Sequence, residues 1–252
     1  MENSYVKTHI ESGIATVEFY HEKQNAMPSS QLIKLAESIN ACGLNQEVLV
    51  VILKSVGDKT FCAGASFDEL LQISNAEMGL EFFSGFARVI NAMRTCPKFI
   101  VARIQGKTVG GGVGLAASAD YAFAHTSASV KLSELAVGIG PFVVGPAVER
   151  KMGLAGMSEL AIDASSWRSA EWAMQKGLFN QVFDCHEALD EAVSALAHRL
   201  AHSSPDAMRQ LKRIFWEGTE KWDQLLSERA AISGELVLSN FTKNAISAFK
   251  QK

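Results

Sequence analysis

Three stretches of this chain carry residues that could take part in a reaction. Ala63-Gly64-Ala65 follows a short apolar segment, and Gly110-Gly111-Gly112 opens a run of small residues. Glu134 sits among apolar neighbours in Lys131-Leu132-Ser133-Glu134-Leu135. Glycines that open a helix leave N–H groups unpaired at the positive end of its dipole. They also let a ligand come close to the backbone. A second N–H from Ala63-Gly64-Ala65 would complete two convergent donors, the arrangement that stabilises an oxyanion in acyl chemistry. A carboxyl group in apolar surroundings has a raised pKa, which suits proton transfer near neutral pH.

The same residues permit other readings. Gly112-Val113-Gly114-Leu115-Ala116-Ala117 has the form G-x-G-x-x-A, with Glu134 twenty residues after Gly114, as in a dinucleotide fingerprint. Against this, the stretch Gln105 to Gly110 separates the preceding strand from the run, where the fingerprint needs a tight turn. Gly64-Ala65-Ser66-Phe67-Asp68 misses the nucleophile elbow, because Asp68 stands where its last glycine belongs. His198 and His202 are four apart but lack a third ligand, so no metal site is expected. Cys42, Cys62, Cys96 and Cys185 form no C-x-x-C and read as reduced thiols.

The elements that must position these segments follow from composition and pattern. The chain has 252 residues, 48% hydrophobic and 20% charged, with a net charge of −3. That is one large domain or a core with an appendage, and it lacks the basic footprint of a nucleic-acid binder. The longest aliphatic run, Val48 to Leu53, is far below the roughly 20 residues of a membrane span. Met1-Glu2-Asn3-Ser4-Tyr5 has neither part of a secretory signal, so a cytoplasmic protein is expected.

Val6 to Ile10 and Ile14 to Phe19 read as a hairpin around Glu11-Ser12-Gly13. Pro28 and Ser29-Ser30 open a helix that ends at Gly43. Val48–Leu53 and Phe99–Ile104 read as strands buried on both faces, with a helix from Met78 to Arg94 between them. The segments around Phe61 to Ser66 and Gly106 to Val109 read as loops, and Tyr121 to Ala124 as a short strand. Residues 1–185 thus alternate strand and helix on a mostly parallel sheet, an α/β class. Residues 186–252 read as helices only, with nine basic and nine acidic residues, a neutral appendage.

The order and spacing of five segments resemble the enoyl-CoA hydratase/isomerase (crotonase) superfamily over essentially the whole length. They are Ser12-Gly13-Ile14-Ala15-Thr16-Val17, Gln24-Asn25-Ala26-Met27, Phe61-Cys62-Ala63-Gly64-Ala65, Gly106 to Gly112, and Leu132-Ser133-Glu134. The resemblance implies a spiral of ββα units with a C-terminal helical region that builds a homotrimer or a dimer of trimers. It implies an acyl-CoA thioester as substrate, with CoA part of the substrate and no separate cofactor. The Ala65 and Gly111 N–H groups would hold the thioester oxygen and stabilise an enolate, with Glu134 as acid/base. Lys23, Ala26, Ala63, Gly64 and Gly110 would contact the substrate, and Phe249 and Lys252 would reach a neighbouring subunit's CoA site. Phe67, Phe82, Phe83, Phe86 and Phe142 are candidates for the acyl pocket.

Departures from the family pattern narrow the chemistry. Hydratases of the family carry a glutamate two residues after the third glycine, where this chain has Gly114. Ser66 replaces the family's aspartate after the AGA-type run. With one carboxylate, shifting a double bond is favoured over adding water, which needs two groups to hold it. Hydration stays open if Asp68, Glu69 or Glu149 supplies the second carboxylate, and a CoA-binding scaffold without turnover is the third reading.

Overall fold

The computed structural model describes residues 4–249. A hairpin, β1 (Ser4–Glu11) and β2 (Ile14–His21), leads to α1 (Ser29–Leu44). Three turns of one pattern follow. The first is β3 (Val50–Ser55), β4 (Thr60–Cys62), the short α2 (Phe67–Leu70) and α3 (Ala76–Thr95). The second is β5 (Phe99–Ile104), β6 (Lys107–Val109) and α4 (Gly111–Ser118). The third is β7 (Tyr121–His125), β8 (Ser129–Lys131), a 3₁₀ turn (Leu135–Val137) and α5 (Gly145–Ile162). Then come β9 (Arg168–Ser169), α6 (Ala170–Gln175), β10 (Gln181–Phe183), α7 (His186–Ala201), α8 (Pro205–Phe215), α9 (Trp222–Leu236) and α10 (Asn240–Phe249).

Each of the three turns gives one strand to a large sheet and the next to a small one. The large sheet runs β1-β2-β3-β5-β7-β10, parallel apart from the hairpin. The small sheet runs β4-β6-β8-β9, with β4, β6 and β8 parallel. This is a spiral of repeated units, as the resemblance implies. Two segments read as loops from the sequence are therefore strands, β4 and β6. Three residues are too few for a periodic signal to show.

Apolar periodicity fixes what each element buries. Leu32, Leu35, Ala36 and Ile39 of α1 face the core shared with Val17, Phe19 and Leu53. The opposite face of the large sheet presents Ile14, Val50, Val101 and Phe123, and α7 covers it with Leu189, Val193 and Ala197. Asn75 caps α3 by accepting from the Met78 N–H at 2.9 Å. α3 ends before Pro97, whose ring cannot continue it.

The late helices are tied to the sheet core by a buried charge. Lys212 of α8 and Asp120, just before β7, are 3% and 8% exposed and pair at 2.8 Å. Lys212 also donates to the Lys98 carbonyl, while Asp120 accepts from the Ile100 N–H and the Trp216 indole. α9 lies so close on α3 that a Cβ on Gly79 would stand 2.6 Å from Gly234 Cα. Gly79→Val is expected to cost about 3 kcal/mol by overpacking this backbone contact, read as a lower urea midpoint. An unchanged midpoint would show that α9 is free to move away.

Candidate active site

The three segments singled out in the sequence each follow a strand of the small sheet. Ala63-Gly64-Ala65 leaves β4, Gly110-Gly111 leaves β6 and Glu134 follows β8. These strands are parallel and adjacent, so their carboxyl ends lie along one edge and deliver all three segments to one place. A Cβ on Gly64 would lie 3.6 Å from Gly111 N and 3.0 Å from the Val109 carbonyl. A Cβ on Gly110 would lie 3.0 Å from Glu134 Oε1. Both glycines also have positive φ, +89° at Gly64 and +53° at Gly110, so the close approach and the turn both require them.

Gly111 is the first residue of α4, and its N–H has no helical acceptor. The Ala65 N–H is likewise without an acceptor among the described residues, since the bridge to Met27 uses its neighbours. Met27 N–H donates to the Gly64 carbonyl at 2.8 Å, and Ser66 N–H donates to the Met27 carbonyl at 3.3 Å. Asn25 braces this turn, donating from Nδ2 to the carbonyls of Val56 and Thr60. Two N–H donors are thus held rigidly without partners of their own, ready to receive a negative oxygen.

Glu134 is the acidic group beside them. The residue is half-buried, but its Oε2 is closed off from solvent and has no hydrogen-bond partner. Burial pushes its pKa up to about 7, against a smaller downward pull from its own main-chain N–H. A carboxyl group so placed gives up and takes back a proton at neutral pH. The neighbouring thiol does not compete as a nucleophile, because burial raises Cys62 to about 12.

The donors and Glu134 line a cavity of about 90 Å³. Ala63, Gly64, Ala65, Phe67, Gly110, Gly111, Glu134 and Phe142 all line it, as do Phe83 and Phe86. Phe82, the neighbour of Phe83 on α3, points elsewhere and packs with Leu70, Ile73 and Val137. Lys23 and Ala26 stand behind the Ala65 loop rather than in the wall, with Lys23 paired to Asp68. Lys252 and the side chain of Phe249 lie outside the described residues. Ser133, quoted in the sequence only as Glu134's neighbour, also lines the cavity, as do Val144 and Ser233, which went unnoticed there. Ser233 comes from α9, and nothing in its local sequence signals a ligand.

No second carboxylate reaches this cavity among the described residues. Asp68 pairs with Lys23, and Glu69 Oε2 accepts from the Ser29 N–H at 2.9 Å and hydroxyl at 2.7 Å. Glu149 is exposed on α5. None of the three, through which the sequence left hydration open, lines the cavity. At Gly114 the space is taken: a Cβ there would meet Val144 Cγ1 at 2.5 Å.

No group of three or more His, Cys, Asp and Glu side chains gathers into a metal site among the described residues. Among them, too, no helix is long and apolar enough to cross a membrane.

Comparison with known proteins identifies the family. The short-chain-enoyl-CoA hydratase of Clostridium acetobutylicum is 28% identical over 100% of this chain and 97% of its own. The peroxisomal Delta(3,5)-Delta(2,4)-dienoyl-CoA isomerase of Arabidopsis thaliana is 27% identical over 90% and 86%. The crystal structure of an enoyl-CoA hydratase from Bacillus halodurans superposes with a TM-score of 0.88, covering 97% and 100% at 21% identity, which establishes the fold. The family description "Enoyl-CoA hydratase/isomerase" matches residues 9–251, and with two free N–H donors beside one buried glutamate, this chain belongs to that family of acyl-CoA enzymes.

Proposed function

We propose that this protein shifts the double bond of an enoyl-CoA thioester through a dienolate. The observation that carries the reading is the single carboxylate, Glu134, among the described residues of the cavity. The Glu134 carboxylate takes a proton from C2 of a 3-enoyl thioester. The electron pair of that C–H bond moves into the carbonyl, whose oxygen becomes negative and accepts from the Ala65 and Gly111 N–H groups. The proton then returns from Glu134 to C4, the double bond settles between C2 and C3, and the carbonyl is restored. One acid/base group suffices because the same proton leaves and comes back.

Adding water asks for more. A water molecule must be held against C3 and lose a proton while another reaches C2. Val144 fills the space beside Gly114, so the site has methyl groups there instead of a group that could hold water. The hydratase reading is favoured by the name of the Clostridium relative, which matches this chain from end to end.

The two readings part on one experiment. Incubated with a 3-enoyl-CoA, the protein is expected to form the 2-enoyl product with little 3-hydroxyacyl-CoA. Rapid formation of 3-hydroxyacyl-CoA from a 2-enoyl-CoA would overturn isomerisation in favour of hydration. Absence of turnover on any enoyl-CoA would leave a thioester-binding scaffold.

A further inference from the structure

The part of the cavity beyond the two N–H donors is walled by Phe67, Leu70, Phe83, Phe142 and Val144, side chains without a polar atom. No Lys, Arg or His is among the described lining residues. The polar side chains that do reach the cavity are Ser133, Glu134 and Ser233, and the Ser233 hydroxyl donates to the Arg229 carbonyl. Two lysines of the surrounding segments are engaged outside it. Lys23 pairs with Asp68, and Lys131 Nζ sits 4.6 Å from the centre of the Trp167 ring.

From this wall we infer that the enzyme takes an uncharged aliphatic acyl chain and rejects acyl chains that end in a carboxylate. The inference rests on the reading of the cavity as an acyl-CoA site. A carboxylate carried into this space would lose water and find no cation in exchange among the described residues, a cost that buried charges avoid only by pairing. It would also stand in the same cavity as Glu134, and two carboxylates sharing one site oppose each other's ionisation. A methyl group at the same position loses nothing and buries apolar surface.

Pentanoyl-CoA and glutaryl-CoA make the test, because they have equal carbon counts and differ by a terminal methyl against a terminal carboxylate. Both are saturated, so binding is read without turnover, by calorimetry with the full-length protein. Pentanoyl-CoA is expected to bind about a hundredfold more tightly. A preference below about tenfold, or one for glutaryl-CoA, overturns the inference. If neither thioester binds, the acyl-CoA reading falls and takes the inference with it. If pentanoyl-CoA binds with the expected preference but 3-enoyl thioesters are not isomerised, the inference stands and the isomerase reading fails.

Discussion

Glu134→Gln is expected to lower turnover by about 10²–10⁴-fold while making the folded protein more stable above neutral pH. The first effect follows from removing the group that carries the proton. The second follows from linkage. An unfolded glutamate ionises near 4.5, whereas burial holds the folded Glu134 up to about 7. Below pH 4.5 both states are protonated and the residue has no effect on stability. As pH rises from there, the unfolded chain releases its proton while the folded one retains it, so folding becomes progressively costlier. The penalty is complete above about pH 7 and amounts to roughly 3 kcal/mol.

A glutamine does not ionise and escapes that penalty. Urea unfolding at pH 8 is expected to favour Glu134→Gln by up to about 3 kcal/mol, less whatever its buried amide leaves unpaired. The advantage should fade on acidification and vanish near pH 4.5. The wild-type kcat/KM should rise with pH and level off above about 7, as the base becomes ionised in the free enzyme. A variant that keeps wild-type turnover would remove Glu134 from the mechanism. A stability difference between the two proteins that does not change between pH 8 and pH 4 would show that the carboxyl is not held away from water.

The largest loss of stability is expected at the buried pair that anchors α8. Lys212→Met leaves the buried Asp120 carboxylate with the Ile100 N–H and the Trp216 indole as its hydrogen-bond donors, and with the Lys151 ammonium, which donates to the Asp120 main-chain carbonyl at 3.2 Å, as the nearby positive charge. Breaking one side of such a pair costs about 3–5 kcal/mol. In a chain of this size that lowers the thermal midpoint by on the order of 10 °C. Adding Asp120→Asn should recover part of the loss, because the amide oxygen still accepts while the stranded charge is gone. A loss below about 1 kcal/mol for Lys212→Met, the range of exposed pairs, would show that water reaches this charge.

Much of the site was legible in the sequence, and the parts that were not have identifiable causes. Ala63-Gly64-Ala65, Gly110-Gly111-Gly112 and Glu134 stand out because small residues and an acid in apolar company are local signals, whereas Ala65 and Gly111 as the two donors follow from the family resemblance. Their convergence was less visible, since it depends on three strands of three residues each, too short to show alternation. Phe83 and Phe86 are three apart on one helix and share a face, whereas Phe82 is turned away by one residue's rotation. The sequence shows that Gly114 is not a glutamate. It does not show that Val144, thirty positions on, fills the space, because nothing local records which residues of α4 and the start of α5 touch. The buried Asp120–Lys212 pair was hidden for the same reason, with 92 residues between its partners.

Ser233 has a consequence for synthesis of the enzyme. Every other described residue that lines the cavity precedes α9 in the chain, the last of them being Val144. A nascent chain therefore carries both N–H donors and Glu134 well before the helix that shuts one side of their chamber has been translated. The wall of the chamber is therefore complete only once α9 has been made.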